Sequence, residues 1–381
     1  MKEGVNLHQF VAVNRRDGEV IHTLLKEHLM LNPDLTPQQI GKDEVAFPLA
    51  EGTTPGAVVA CLNSIHLNLR FCSLEATIQP LVDPHRRLTK AVSSWVDTHG
   101  GAAHADLLAM IPSKWERLGG LILLPAEVNE QPPWLEVMNH PKCDIMWLNI
   151  LKALKAESLG LQAPIANDTF RSSQVKMLHG SSEVDFLDHG ITYSFDAARV
   201  MFSSGNITER RRIGAINMQG ETVIDAYAGV GYYTFPMLVH SDAAHVHACE
   251  LNPASIQGLR AGANANKINE RLTVHEGDNQ ISLTHLSGIA DRCHLGLLPS
   301  SEAVWELAIK ALKSQGGWLH VHMNVEEERI PIWIEATRER FQEYSIQHGL
   351  GFQVHVRHLE RVKWFAPFVR HVVLDLECRR T

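Results

Sequence analysis

Three acids and two glycines carry the clearest chemistry in this 381-residue chain. Asp225, Glu250 and Asp278 each close a short apolar run, and Gly229 and Gly231 follow the first of them. The stretch from Glu221 to Asn252, ETVIDAYAGVGYYTFPMLVHSDAAHVHACELN, reads as strand, glycine turn, helix, strand, acid. Glycines at 229 and 231 let the backbone turn tightly and approach a ligand where a Cβ would clash. An acid at the end of the second strand accepts hydrogen bonds from both hydroxyls of a ribose. The chemistry implied is binding of a nucleoside-bearing cofactor, and an enzyme is the expectation. The bland alternative is an ordinary βαβ turn in an α/β domain that binds no nucleotide.

Which cofactor follows from two departures. A dinucleotide fingerprint wants glycine or alanine at the third position of G-x-G-x-x-G/A, and Thr234 stands there. Asp225, just before the glycines, suits a cofactor with an amino group better than a pyrophosphate. S-adenosylmethionine (SAM) fits both. A third strand end, Gly277-Asp278-Asn279, offers an acid and an amide that could bracket an adenine; a turn-forming Asp-Asn pair is the structural alternative.

The elements that must position these residues alternate. Strand-like runs VIDAYA, HVHACEL, LTVHEGD, HLGLLP and GWLHVHM are separated by helical segments around YTFPMLV, PASIQGLRAGANANKI and EAVWELAIKALKSQ. This predicts an α/β fold of the class I methyltransferase-like (Rossmann-like) kind, with a mostly parallel sheet covered by helices on both faces. A helix is expected over residues 332–348, and the chain closes on FQVHVRHLERV and HVVLDLEC, read as antiparallel strands. Upstream, Trp134 to Ser158 reads as one helix, and 175–178, 184–187 and 191–195 as short strands with turns at His179-Gly180 and His189-Gly190. The expected domains are 1–105, of unassigned role; 106–200, a smaller α+β domain supporting or binding RNA; and 201–381, the cofactor-binding catalytic domain.

Composition narrows the classes. Hydrophobic content of 45% and charged content of 20% are those of a globular protein. No apolar run reaches transmembrane length, and MKEGVNLHQFVAVNRRDGEV lacks a signal-peptide core. Six scattered cysteines form no CxxC and no three-cysteine radical cluster, which points to a reduced, cytoplasmic setting and polar, two-electron chemistry. No metal-ligand pattern is present; His245 with His247 and His320 with His322 alternate as strand residues do, and core histidines are the expectation. The net charge of −8 argues against an extended nucleic-acid surface. Two local cation clusters remain candidates for phosphate contacts: Arg210-Arg211-Arg212, and the segment holding His355, Arg357, His358, Arg361, Lys363, Arg370 and His371.

MFSSGNITE (201–209), DAYAGVGYYTFPMLVH, HACELNP, GDN (277–279) and HLGLLPSSE (294–302) together resemble the tRNA wybutosine-synthesising protein 2 family, a relative of the tRNA guanine-37 N1-methyltransferases. The likeness covers residues 170–381 well and 106–170 loosely. FSSGN and GLLPSSE separate it from the methyl-transferring relatives, which resemble FSPR and NLP there. The resemblance implies transfer of the 3-amino-3-carboxypropyl group of SAM to the tricyclic wyosine-precursor base (4-demethylwyosine) beside the anticodon of phenylalanine tRNA, with methylthioadenosine released. It implies SAM contacts at Ser203, Arg210, Glu250, Asp278 and Asn279, beside the turn residues Asp225, Gly229 and Gly231. Arg210 is a fixed cation able to pair with the methionine carboxylate. No residue identifies itself as a general base; Asp225 and Glu302 are the acids singled out for a catalytic role. Other enzymes of the pathway are possible partners, and a membrane is not. The competing readings are a SAM-dependent tRNA methyltransferase on the same scaffold and a non-catalytic RNA-binding protein.

Overall fold

The computed structural model describes residues 7–32, 35–62, 69–75, 83–100, 102–164, 166, 168, 170, 172–202 and 204–380. They gather into two compact units, Met1–Ser113 with Leu148–Leu154 and Lys114–Trp147 with Lys155–Thr381. In the first, β1 (Leu7–Asn14), β2 (Gln38–Ile40), β3 (Glu44–Pro48) and β4 (Arg70–Glu75) make an antiparallel sheet in the order β2-β3-β1-β4. Its helices are α1 (Gly18–Glu27), α2 (Pro55–Cys61) and α3 (Pro84–Trp95). Alternate residues of β1 serve opposite faces: Val11 and Val13 pack with Ile21, Leu25 and Val58, whereas Phe10 and Ala12 pack with Ala46.

The second unit opens with β5 (Glu116–Leu118), β6 (Leu121–Leu124), β7 (Ser158–Leu161) and β8 (Lys176–His179), a four-stranded sheet in sequence order. The helix expected over 134–158 is two, α4 (Pro132–Asn139) and α5 (Cys143–Leu154). Pro141 lies in the break; it has no N–H to continue the ladder and its ring clashes with the preceding turn. β9 (Glu183–Asp188) and β10 (Ile191–Asp196) form a hairpin whose turn residues His189 and Gly190 both take positive φ, 49° and 76°.

Seven strands follow: β11 (Thr222–Asp225), β12 (His245–Glu250), β13 (Leu272–Glu276), β14 (Arg292–Leu295), β15 (Gly316–Glu326), β16 (Phe352–Ala366) and β17 (Val369–Arg380). Their order is β13-β12-β11-β14-β15-β17-β16. The first five are parallel, and β17 runs antiparallel to both neighbours, as the closing apolar runs suggest. The helices are α6 (Ile207–Gly214), α7 (Thr234–Val239), α8 (Pro253–Ala265), α9 (Asn279–Thr284), α10 (Trp305–Ala311) and α11 (Ile330–Gln347). Both faces of the sheet are covered. Val223 packs with Phe235, Leu259 and Tyr193 on one side; its neighbour Ile224 packs with Cys293, Trp305 and Ile309 on the other. Strand order reverses at β11, which has β12 on one side and β14 on the other, so a crevice opens beyond its carboxyl end. Among the described residues no helix is long and apolar enough to cross a membrane.

Candidate functional site

A cleft of about 500 Å³ occupies that crevice, within the usual size range of small-molecule sites. Its lining comes from the ends of β11, β12, β13 and β14, from α6 and the turn before it, and from β16 at the far edge of the sheet. Gly229, Glu250, Asp278, Asn279 and Arg210 all face it. Ser203 lies outside the described residues.

Gly229 and Gly231 have φ of 56° and 98°, a region in which side chains are strained. Their crowding differs from the expectation of close ligand approach at both. A Cβ on Gly231 would sit 2.5 Å from the Phe235 ring, so this glycine packs the turn against its own helix and does not line the cleft. Gly229 does line it, and its N–H donates to Glu250 Oε2 at 2.7 Å.

Glu250 is the best-organised acid of the cleft. Its Oε1 accepts from the Asn252 and Leu251 N–H groups at 2.7 and 3.0 Å. Four lone-pair sites less three N–H donors leave the carboxylate able to accept once more, from the cleft. Burial pushes its carboxyl above the usual range against the downward pull of those donors. Asp278 caps α9 through Oδ1, which accepts from the Gln280 N–H at 2.8 Å, and Asn279 Nδ2 donates to the Ala226 carbonyl at 2.8 Å. The acid-amide pair therefore stands at the cleft wall, with Asn279 also tying β11 to α9. Helix α9 itself was not anticipated in the sequence.

Two acids singled out for catalysis are placed elsewhere. Asp225 has no exposed surface; Oδ2 accepts from Thr234 Oγ1 at 2.7 Å and Oδ1 from the Tyr227 N–H at 3.3 Å. It lies beneath the cleft floor and holds the glycine turn to the start of α7, which explains why threonine replaces the third glycine. Glu302 is exposed, accepts from Ser300 Oγ at 3.0 Å and lies off the cleft wall. From the same GLLPSSE segment, Gly296, Leu297 and Leu298 line the cleft, while Ser301 accepts from Trp305 Nε1.

Arg210 also departs from expectation. It is 3% exposed and its Nε and Nη2 donate to Asp188 Oδ2 at 3.1 and 2.7 Å. Its guanidinium carbon lies 5.3 Å from the Phe202 ring centre. Arg212 is likewise committed, to Glu209 and Asp375. The C-terminal cations are largely paired: Arg357 with Glu377, and Arg361 and Arg370 with Glu327. Those two clusters are thus mostly ion-pair networks and not open phosphate surfaces.

Several residues of the cleft were not singled out as site residues from sequence. Asn206, Tyr227, Tyr233, Lys363 and Phe365 all line it. Tyr233 is nearly fully buried, its ring centre 4.2 Å from that of His294. Behind it, His294, His322 and His371 form a buried chain with nitrogen separations of 3.1 and 3.0 Å. His320 bonds Asp375 at 2.6 Å, and His247 bonds His275 at 3.0 Å. These are core strand histidines joined mainly to one another, the Nδ1 atoms of His294 and His371 finding no hydrogen-bond partner among the described residues; among those residues no group of three or more His, Cys, Asp or Glu is arranged to hold a metal. The cleft therefore has an acid side on β12 and β13 and a cation side on α6 and β16.

Residues 186–354 match the family described as the TRM5/TYW2 methyltransferase domain. The rice (Oryza sativa) tRNA wybutosine-synthesizing protein 2/3/4 is 34% identical over 99% of this chain, which spans only 35% of that relative's length. The zebrafish (Danio rerio) tRNA wybutosine-synthesizing protein 2 homolog is 37% identical, over 77% of this chain and 78% of its own. Among solved structures, Pyrococcus horikoshii TYW2 in complex with MeSAdo aligns with a TM-score of 0.61 and 25% identity, over 77% of this chain and all of that one. Fold, cleft and relatives agree, and the chain belongs to the tRNA wybutosine-synthesizing protein 2 family.

Proposed function

We propose that this protein transfers the 3-amino-3-carboxypropyl group of S-adenosylmethionine to the tricyclic wyosine-precursor base, 4-demethylwyosine, beside the anticodon of phenylalanine tRNA. The observation that carries the reading is the two-sided cleft at the topological switch point. Glu250 and Asp278 offer acceptors for ribose and adenine on one side, and cations gather on the other. That polarity fits an elongated nucleoside with hydroxyls at one end and a carboxylate at the other, so the donor set suits SAM. When bound, SAM supplies an electrophilic carbon on a sulfonium leaving group; a C–C bond to the base forms as the C–S bond breaks and its electron pair returns to sulfur.

The protein's own part is binding and alignment. Glu250 fixes the ribose with its remaining lone pair, and the Asp278–Asn279 pair fixes the base. Tyr227, Tyr233 and Phe365 supply apolar walls that keep water from the reacting carbon. Which of the three carbons on sulfur is attacked is decided by which one faces the acceptor, and that is a matter of holding the amino-acid arm. Gly229 and Gly231 shape the turn, Asp225 holds it from below, Arg210 with Asp188 braces the opposite wall, and Ser203 is proposed as a further contact to the methionine end. Glu302 is left with a local hydrogen bond from Ser300. The acceptor carbon's proton leaves after attack without a dedicated protein base.

The same reading makes tRNA the macromolecular partner, places the protein in the cytoplasm, and allows docking to other enzymes of the pathway. Residues 106–200 are proposed to support the RNA, 201–381 to carry the chemistry, and 1–105 has no assigned role. The test is mass spectrometry of phenylalanine tRNA bearing 4-demethylwyosine after incubation with the protein and SAM. A gain of the intact 3-amino-3-carboxypropyl group is expected. A gain of a methyl group at guanosine would replace the proposal with the methyltransferase reading.

A further inference from the structure

Arg210 is the cation that sequence points to for the amino-acid end of the cosubstrate, yet Asp188 already neutralises it in a buried ion pair. Lys363, on β16, lines the same cleft and is half-buried. It has no ion-pair or hydrogen-bond partner among the described residues. Its immediate charged neighbour is the like-charged Arg210, which together with burial lowers the ammonium pKa, burial being the larger cause. Among the described residues, Lys363 is thus a cation in the cleft wall with no carboxylate of its own.

Gly205 leaves the space that the lysine tip occupies. A Cβ at that position would stand 2.8 Å from Lys363 Nζ. The next residue, Asn206, also lines the cleft, and its buried Oδ1 accepts no hydrogen bond among the described residues. A buried amide oxygen without a donor is costly. A cation short of an anion and a carbonyl oxygen short of a donor, side by side in one wall, are complementary to a zwitterionic amino acid: carboxylate to the ammonium, α-ammonium to the amide oxygen.

We infer that Lys363, admitted by Gly205, binds the α-carboxylate of the cosubstrate's amino-acid arm, with Asn206 receiving the α-ammonium group. The inference rests on the proposed SAM site and adds the residues that hold the transferred arm. Arg210 then acts as a brace that keeps Asp188, Phe202 and the lysine in place. Lys363 is a binding residue that sets the arm's direction, and it lines the same cleft as Glu250.

Methylthioadenosine tests this cleanly, because it keeps the nucleoside and lacks the arm. Isothermal calorimetry on the full chain should show that Lys363→Met weakens SAM by about 10- to 100-fold, the loss of one charge-assisted contact. The same variant should bind methylthioadenosine as the wild type does, and Lys363→Arg should restore most of the SAM affinity. Equal weakening of both ligands would overturn the inference in favour of a structural role. Unchanged SAM affinity with weaker tRNA binding would overturn it in favour of an RNA phosphate contact. A wild-type protein that bound neither nucleoside would overturn the reading of the site itself, a result no comparison of variants can mimic.

Discussion

The two sides of the cleft are built in opposite ways. The acid side comes from Glu250 to Asn279, two consecutive strand ends of one βαβαβ run, with backbone N–H groups from adjacent turns fixing Glu250. The cation side joins Asn206 and Arg210 to Lys363, far later in the chain, by way of a hairpin acid, Asp188. The acid side is therefore a local device, and the cation side exists only once β16 has paired along β17 at the sheet edge. Damage to the first should appear mainly in ligand binding. Damage to the second should appear in stability as well.

The largest effect expected on that contrast is from Arg210→Ala. It leaves Asp188, 9% exposed as a side chain, as an unpaired buried carboxylate, at a cost of about 3–5 kcal/mol of folding stability. A urea titration that showed less than about 1 kcal/mol would mean that Asp188 is solvated and the brace is dispensable. Glu250→Gln comes next, with cosubstrate affinity down by about 10- to 100-fold. Calorimetry giving unchanged affinity would remove the ribose acceptor from the acid side.

Acidification should strike the layer beneath the cation side. Burial lowers His371 and His320 to about 4 and His322 well below its ordinary value; nearby cationic or imidazole groups add to the shift at His371 and His322, whereas Asp375 opposes it at His320. Their folded pKa values lie below the unfolded value, so below about pH 6.5 the unfolded chain binds protons that the native state refuses. Stability should be flat above that pH and fall as the pH drops from roughly 6.5 towards 4, by on the order of a few kcal/mol in total for the coupled imidazoles. A His371→Gln variant should lose part of that slope, and an identical slope would show that His371 does not contribute. The smallest effect is that of Glu302→Ala. Among the described residues its exposed carboxylate has one hydrogen bond, from Ser300, so stability should change by no more than about 0.5 kcal/mol and the transfer rate should hold; a large loss of rate would return Glu302 to the chemistry.

What could be read from sequence follows the same divide. The strands, the crossover pattern, the closing antiparallel pair and the acids Glu250 and Asp278 are written in short windows, where periodicity and a glycine turn suffice. Asp225 and Gly231 lie off the cleft wall although their spacing suits a ligand, because the same spacing serves the turn's own packing and only burial separates the two. The break at Pro141 was in the sequence and was overridden by the apolar content around it. The pairing of Arg210 with Asp188, and of Arg361 and Arg370 with Glu327, depends on strand register, which turns apparent cation clusters into ion-pair networks. Lys363 was one of seven such residues in its segment; nothing in the window marked it as the one that reaches the cleft.

The most direct measurement is the identity of the nucleoside left when the protein turns over SAM with phenylalanine tRNA carrying 4-demethylwyosine. Chromatography of the reaction should show methylthioadenosine formed in step with modified tRNA. Formation of S-adenosylhomocysteine instead would contradict transfer of the aminocarboxypropyl arm.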